Sequence, residues 1–238
     1  MRPTFYALRP GGWRDYVTLL HPPYTLWHLS YVVVGGCLAP SVPWGRLGLT
    51  VLAFGLAMGV GAHALDELGG RPLGTSIPGR VLAALAVASV AAASAIGVVV
   101  ATRTTLWLLA FVAAGAFLVP AYNLELFGGR FHSDLWFGLA WGAFPVLTAY
   151  VACAERLRAE AVLAAAWATV LSLAQRRLST PVRRLRRAVR DVTGEIQLAD
   201  GTSEPLARTL LTAPAEAALL LLTASTVLMA AALVVLRL

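Results

Sequence analysis

The densest run of chemically capable side chains is His63-Ala64-Leu65-Asp66-Glu67-Leu68-Gly69-Gly70-Arg71-Pro72-Leu73-Gly74-Thr75-Ser76. On a helix, Asp66 lies three residues and Glu67 four residues beyond His63, so the imidazole and both carboxylates can share one face. Gly69-Gly70 supplies a left-handed cap to end that helix. Arg71 adds a planar fork suited to phosphate oxygens. Ionisable groups cost about 2.5–3.5 kcal/mol each at the centre of a bilayer. At a membrane helix end such groups either face a cavity or cap the helix among the lipid head groups.

A second stretch echoes the first. Tyr122-Asn123-Leu124-Glu125-Leu126-Phe127-Gly128-Gly129-Arg130-Phe131-His132-Ser133-Asp134 again puts an acid at a helix end, then Gly-Gly and Arg, and the two Gly-Gly-Arg runs are offset by 59 residues. Either a repeated helix hairpin or the common habit of capping inward-ending helices with Gly and Arg produces this match. A third stretch, Gln175 to Arg190, holds seven Arg around Leu178, Val182, Leu185 and Val189 at helical spacing. Ser179-Thr180-Pro181 reads as the start of that helix, which is expected to lie on the inner leaflet against anionic head groups or to close over an anionic substrate.

The elements that would hold these groups are membrane helices. Of the 238 residues 58% are hydrophobic and 13% charged, about half the usual charged share. That composition excludes a soluble globular domain, a disordered chain and a disulfide scaffold. All 19 basic residues are Arg, which excludes a lysine Schiff base and a Walker-type phosphate loop. Four His are too few for a multi-His diiron centre, and neither a Gly-x-Ser-x-Gly nor a His-Glu-x-x-His pattern occurs. Cys37 and Cys153 sit in apolar runs and read as small core residues.

Seven segments approach the length needed to span: Pro23–Pro40, Leu47–Leu65, Val81–Ala101, Leu106–Tyr122, Leu135–Cys153, Ala161–Ala174 and Ala215–Val235. The expected fold is therefore all-α, a polytopic transmembrane bundle of about seven spans. Its parts are a cytoplasmic segment (1–22), six membrane helices (23–175), a cytoplasmic basic helix and loop (176–213) and a final span (214–238). Fourteen of the 19 Arg fall on the side of the amino terminus, which places that terminus in the cytoplasm and the carboxyl terminus outside. The high pI follows from this bias and does not call for nucleic acid. His28 reads as a packed, hydrogen-bonded residue, and Trp141 and Trp167 are candidates to line an apolar cavity.

From about Leu19 to Gln175 the chain resembles the UbiA superfamily of intramembrane prenyltransferases. The likeness rests on Pro23-Tyr24-Thr25 opening the first segment with Gly35-Gly36 further along, on the acidic end of the second segment before Arg71-Pro72-Leu73, and on the end of the fourth segment at Tyr122. The resemblance implies a helical bundle with a cytoplasmic-side cavity, where Asp-rich motifs hold Mg²⁺ and a prenyl diphosphate and the prenyl tail lies in an apolar tunnel. Carried onto this chain, Asp66 and Glu67 become the catalytic pair. Mg²⁺ would sit on Asp66, Glu67 and His63, with Glu125 or Asp134 as a second acidic arm. Arg71, Arg130, Tyr122, Asn123, Gln175 and Arg176 would bind substrate.

The family's first motif, Asn-x-x-x-Asp-x-x-x-Asp, meets Ala62 and Gly70 at its outer positions here, and no carboxylate follows Gln175-Arg176-Arg177 until Asp191. Three functions are expected in turn: transfer of a prenyl group to a lipid or aromatic acceptor, non-catalytic binding of a lipid or partner complex, and transport. Membrane lipids and a prenyl diphosphate or other lipid-linked phosphate are the expected ligands.

Overall fold

Long runs of Ala, Val and Leu broken by Gly, Pro and Arg leave the backbone one economical way to pair its amides, which is helix after helix. The computed structural model describes residues 2–238. Eight helices and one short hairpin occur among them: α1 (Trp13–Leu19), α2 (Pro22–Cys37), α3 (Trp44–Leu68), α4 (Gly79–Thr102), α5 (Leu108–Asn123), α6 (Asp134–Ala154), α7 (Ala159–Arg187), β1 (Glu195–Gln197), β2 (Ser203–Pro205) and α8 (Arg208–Arg237). The two strands are antiparallel, with Ile196 opposite Glu204, and Asp200 caps their turn by accepting from the Thr202 amide at 2.9 Å. Two glycine-rich stretches widen to π geometry, Gly55–Ala62 inside α3 and Gly138–Ala143 inside α6.

Four helices, α3, α4, α6 and α8, are long and apolar enough to cross a membrane. Three of the seven expected spans do not meet that standard. Helices α2 and α5 have 16 residues each, about 24 Å at the α-helical rise, against a hydrocarbon core near 30 Å. Helix α7 is longer, but its second half is dense in Arg. The outward faces are apolar where a soluble bundle would carry charge: Val87, Leu163, Val170, Leu221 and Leu228 are all mostly exposed. This is the construction of a helical membrane protein.

Helix α2 occupies the centre. Its Trp27 and Tyr31 are fully buried against Val146 of α6, Ala168 of α7 and Leu219 of α8, and the Trp27 indole donates to the Tyr31 hydroxyl at 2.5 Å. Close approach depends on missing side chains. A Cβ on Gly35 would lie 2.2 Å from the Val146 carbonyl oxygen, and one on Gly142 would lie 2.6 Å from that of Ala168. Cys37 and Cys153 are free thiols packed in one apolar cluster at the end of the bundle opposite His21.

The expected start of a separate basic helix at Ser179 does not occur. Helix α7 runs unbroken from Ala159 to Arg187 with Pro181 inside it, so the expected division at 175/176 falls mid-helix. Pro181 withholds one amide from the ladder. The Thr180 hydroxyl bonds back to the Arg176 carbonyl at 2.7 Å, and Ser179 is buried rather than capping. The amino-terminal stretch is folded onto the bundle, α1 packing against the end of α3.

Replacing Gly35 or Gly142 by Ala should lower stability by about 1–3 kcal/mol, through overpacking against backbone that cannot swing aside. Gly48→Ala, which meets open space, should not destabilise the chain. Thermal unfolding of the detergent-solubilised protein checks the contrast.

Candidate functional site

At the Arg-rich end the helices splay around a polar cavity of about 360 Å³. All four histidines of the sequence, His21, His28, His63 and His132, line it. Four Arg of α7 line it too: Arg176, Arg183, Arg186 and Arg187. The amino-terminal residues Pro3 to Tyr6 close one side.

The histidines are held by partners that fix their rings. His28 donates from Nδ1 to the Trp141 carbonyl at 2.9 Å, within the π stretch of α6. His63 donates from Nδ1 to the Gly59 carbonyl at 3.1 Å, within the π stretch of α3. His132 donates to the Tyr122 carbonyl at 3.1 Å and stacks on the Tyr122 ring. His21 precedes α2 in a left-handed conformation, stacks on His63 at 4.2 Å between centroids, and meets the Tyr6 hydroxyl with Nδ1 at 2.5 Å. Burial first, then the neighbouring His63, Arg187 and Arg183, push its pKa well below the usual imidazole range, so the ring is neutral. Burial likewise raises the Tyr6 phenol and keeps its proton on.

The expected site residues divide. His63, Asp66, Tyr122, Asn123, Glu125, Gln175 and Arg176 come together on the cavity wall. Glu67, Arg71, Arg130 and Asp134 do not. Glu67 is fully buried and turned the other way, its oxygens accepting from the Leu73 amide at 2.9 Å and from the Thr75 amide and hydroxyl at 2.8 Å. It orders the α3–α4 connection and has no face left for a metal or substrate. Arg71 spends its guanidinium on the Ile77 and Thr75 carbonyls of that connection. Asp134 holds Arg176 from outside the wall, while Arg176 also donates to the Tyr122 hydroxyl and lies over the Phe137 ring.

Among the described residues no three His, Cys, Asp or Glu side chains stand where they could hold one ion. Of the expected ligands His63, Asp66, Glu67, Glu125 and Asp134, Glu67 is consumed by the loop and Asp134 by Arg176, and the other three share the cavity wall without forming a group that could hold one ion. The left-handed cap expected at Gly69-Gly70 does not occur, and the two Gly-Gly-Arg turns differ in backbone. Gly69 is right-handed and the positive φ falls on Arg71 and Gly74, whereas the second turn has it at Glu125, Phe127, Gly128 and Gly129.

Sequence reasoning missed Tyr6 and His21 as partners in one site, and left Arg183 and Arg187 undistinguished among the seven Arg of their stretch. A second buried carboxylate explains how the amino terminus arrives there. Asp15 of α1 accepts from the Gly11 and Ser76 amides at 2.9 Å each and from the Ser76 hydroxyl, tying α1 to the connection that Glu67 orders. Burial alone would raise its carboxyl, but these hydrogen bonds outweigh burial and hold it below the ordinary range.

Two features suit the cavity to a ligand. Three buried side-chain atoms lack a hydrogen-bond partner among the described residues, Thr4 Oγ1, His21 Nε2 and Gln175 Oε1, and all three residues are on this wall. An apolar pocket of about 100 Å³, walled by Met58, Val90, Phe111 and Phe144 among others, adjoins it, and Trp141 lines both. Trp167 faces Tyr31 instead. Comparisons with protein-family models, curated proteins and solved structures find no match to this chain.

Glu67→Gln should cost about 1–3 kcal/mol, because an amide cannot accept all three bonds and leaves a buried donor unpaired. Asp66→Asn, at a partly exposed residue with no hydrogen bond or ion pair among the described residues, should stay within about 0.5 kcal/mol of wild type. Unfolding in detergent, with limited proteolysis of the 69–78 connection, separates these outcomes.

Proposed function

We propose that this chain is an integral membrane protein of UbiA-like arrangement that binds a lipid-linked phosphate, the head in the polar cavity and the tail in the apolar pocket beyond Trp141. The observation that carries the reading is the shared Trp141 wall, which sets a polar chamber beside an apolar one, the two environments an amphipathic ligand requires. Arg183 and Arg187 have no carboxylate within ion-pair distance among the described residues, so two guanidinium groups are available for phosphate oxygens. By contrast Arg186 is neutralised by Glu216 through two contacts of 2.5 and 2.8 Å.

The seven long helices run alternately away from and towards the cavity end, and the reading takes them as seven crossings, with the amino terminus in the cytoplasm on the strength of the Arg bias and the carboxyl terminus outside. The short α2 and α5 are accommodated by local thinning of the bilayer beside longer neighbours. Head-group recognition runs through guanidinium and hydroxyl groups rather than Mg²⁺, since no three of the described carboxylates and histidines gather to hold one ion. Transfer of a prenyl group from a prenyl diphosphate is a second reading, favoured by the Phe111, Phe144 and Trp141 rings along the pocket, which would shield a developing allylic cation.

The purified full chain should bind farnesyl phosphate and dihexanoyl phosphatidic acid saturably in excess EDTA, as read by calorimetry. Arg183→Gln with Arg187→Gln should weaken both by about tenfold or more. The same change at Arg156 and Arg158, at the opposite end, should leave binding intact. Absence of saturable binding, or indifference to the Arg183 and Arg187 pair, would overturn the reading, and a requirement for Mg²⁺ would return the metal to it.

A further inference from the structure

The cavity wall is polarised. On the α2 and α7 side stand Arg183, Arg187 and His21, and the α3 and α5 ends carry Asp66, Asn123 and Glu125. Arg176 and Arg186 are already matched by Asp134 and Glu216. The remaining charges do not pair with one another: among the described residues neither Arg183 nor Arg187 has a carboxylate within ion-pair distance, and Asp66 has no hydrogen bond or ion pair at all. Glu125 stands 3.9 Å from His132 Nδ1, and Arg183 and Arg187 each donate one hydrogen bond, to the Thr180 hydroxyl and the Pro3 carbonyl. Opposite charges in one chamber, with Asp66, Arg183 and Arg187 in no ion pair, suit a ligand that carries both signs.

The neutral donors and acceptors follow the same division. With the Tyr6 hydroxyl donating to His21 Nδ1, the His21 proton is on Nε2, a buried donor without a partner on the cationic side. Asn123 spends Nδ2 on the Val119 carbonyl at 2.7 Å, which leaves its Oδ1 as an acceptor beside Asp66 and Glu125. We infer that the head group taken by this cavity is a zwitterion of the phosphoethanolamine kind, its phosphate on Arg183, Arg187 and His21 Nε2 and its primary ammonium on Asp66, Asn123 Oδ1 and Glu125. Three acceptors face the three N–H bonds of a primary ammonium, whereas a quaternary ammonium would leave them unmet. A purely anionic head would gain the guanidinium groups but crowd Asp66 and Glu125. The inference rests on the lipid-phosphate reading and narrows it to one class of head group.

The test compares dihexanoyl phosphatidylethanolamine, phosphatidylcholine and phosphatidic acid on the purified full chain, which share tails and differ in the head. Phosphatidylethanolamine should bind about tenfold more tightly than either of the others. Asp66→Asn should remove that advantage while leaving phosphatidic acid unchanged or slightly tighter, with the melting temperature measured alongside. Phosphatidic acid binding as tightly as phosphatidylethanolamine to the wild-type chain would overturn the zwitterion and leave the lipid-phosphate reading standing. Equal binding of phosphatidylcholine would overturn the primary ammonium. Failure of all three lipids to bind would overturn both readings. The wild-type comparison needs no variant, so a poorly folding Asp66→Asn protein does not spare the inference.

Discussion

A carboxylate removed completely from solvent must be satisfied by protein, and in this chain the way Glu67 is satisfied sets much of the functional end. Its oxygens take the amides of Leu73 and Thr75, which winds the α3–α4 connection back over the helix end. The wound connection presents Ser76 to Asp15, and Asp15 pins α1. Once α1 is pinned, the residues before it can reach the cavity, where Tyr6 meets His21 and Pro3 lies under Arg187. Two acids that touch no ligand thus position the groups that would. Unmaking either leaves polar backbone stranded in an apolar setting, the most expensive fault in a membrane fold.

How much of this was legible depends on the range of the signal. The helical class, the crowding of Arg at one end and the placement of Asp66 and His63 on a common wall follow from local spacing and from the positive-inside bias, whereas Tyr122 and Gln175 entered only through the family resemblance. The neighbouring acid could not be sorted the same way. Asp66 and Glu67 differ by about 100° around a helix axis, and spacing from His63 admits both. Only the path of the following loop decides that one faces the cavity and the other faces away. Pro181 misled for a related reason: after two hydroxyl residues it carries every mark of a helix start, yet continuous packing of α7 on α6 and α8 outweighs the one bond it forfeits. His21 and Tyr6 gave no local sign, because their meeting is a fold-back over 15 residues.

The Arg residues of the chain divide into those paired with acids and those without one. Arg46, Arg176 and Arg186 are anchored to acids and act as struts: Arg46 reaches both Glu155 and the Ala152 carbonyl at the outer end, and Arg186 joins α7 to α8. Arg183 sits between such struts on one helix and differs from them only in lacking an acid. With Lys absent, the struts and the cations proposed to face a ligand are the same residue type, and their partners tell them apart.

The widened turns in α3 and α6 have a consequence for register. A π turn spends one residue more than the α-helix needs, so the part of the helix before it is rotated about 100° against the part after it. In α6 this lets Phe137 and Trp141 both face the cavity while Gly142 still seats against α7. The same turn leaves the Trp141 carbonyl free to accept from His28, and in α3 the wide turn frees the Gly59 carbonyl for His63. Each inserted residue works as an indexing tooth: loss of one would turn the cavity-facing half of its helix away from the chamber while the membrane-facing half stayed seated.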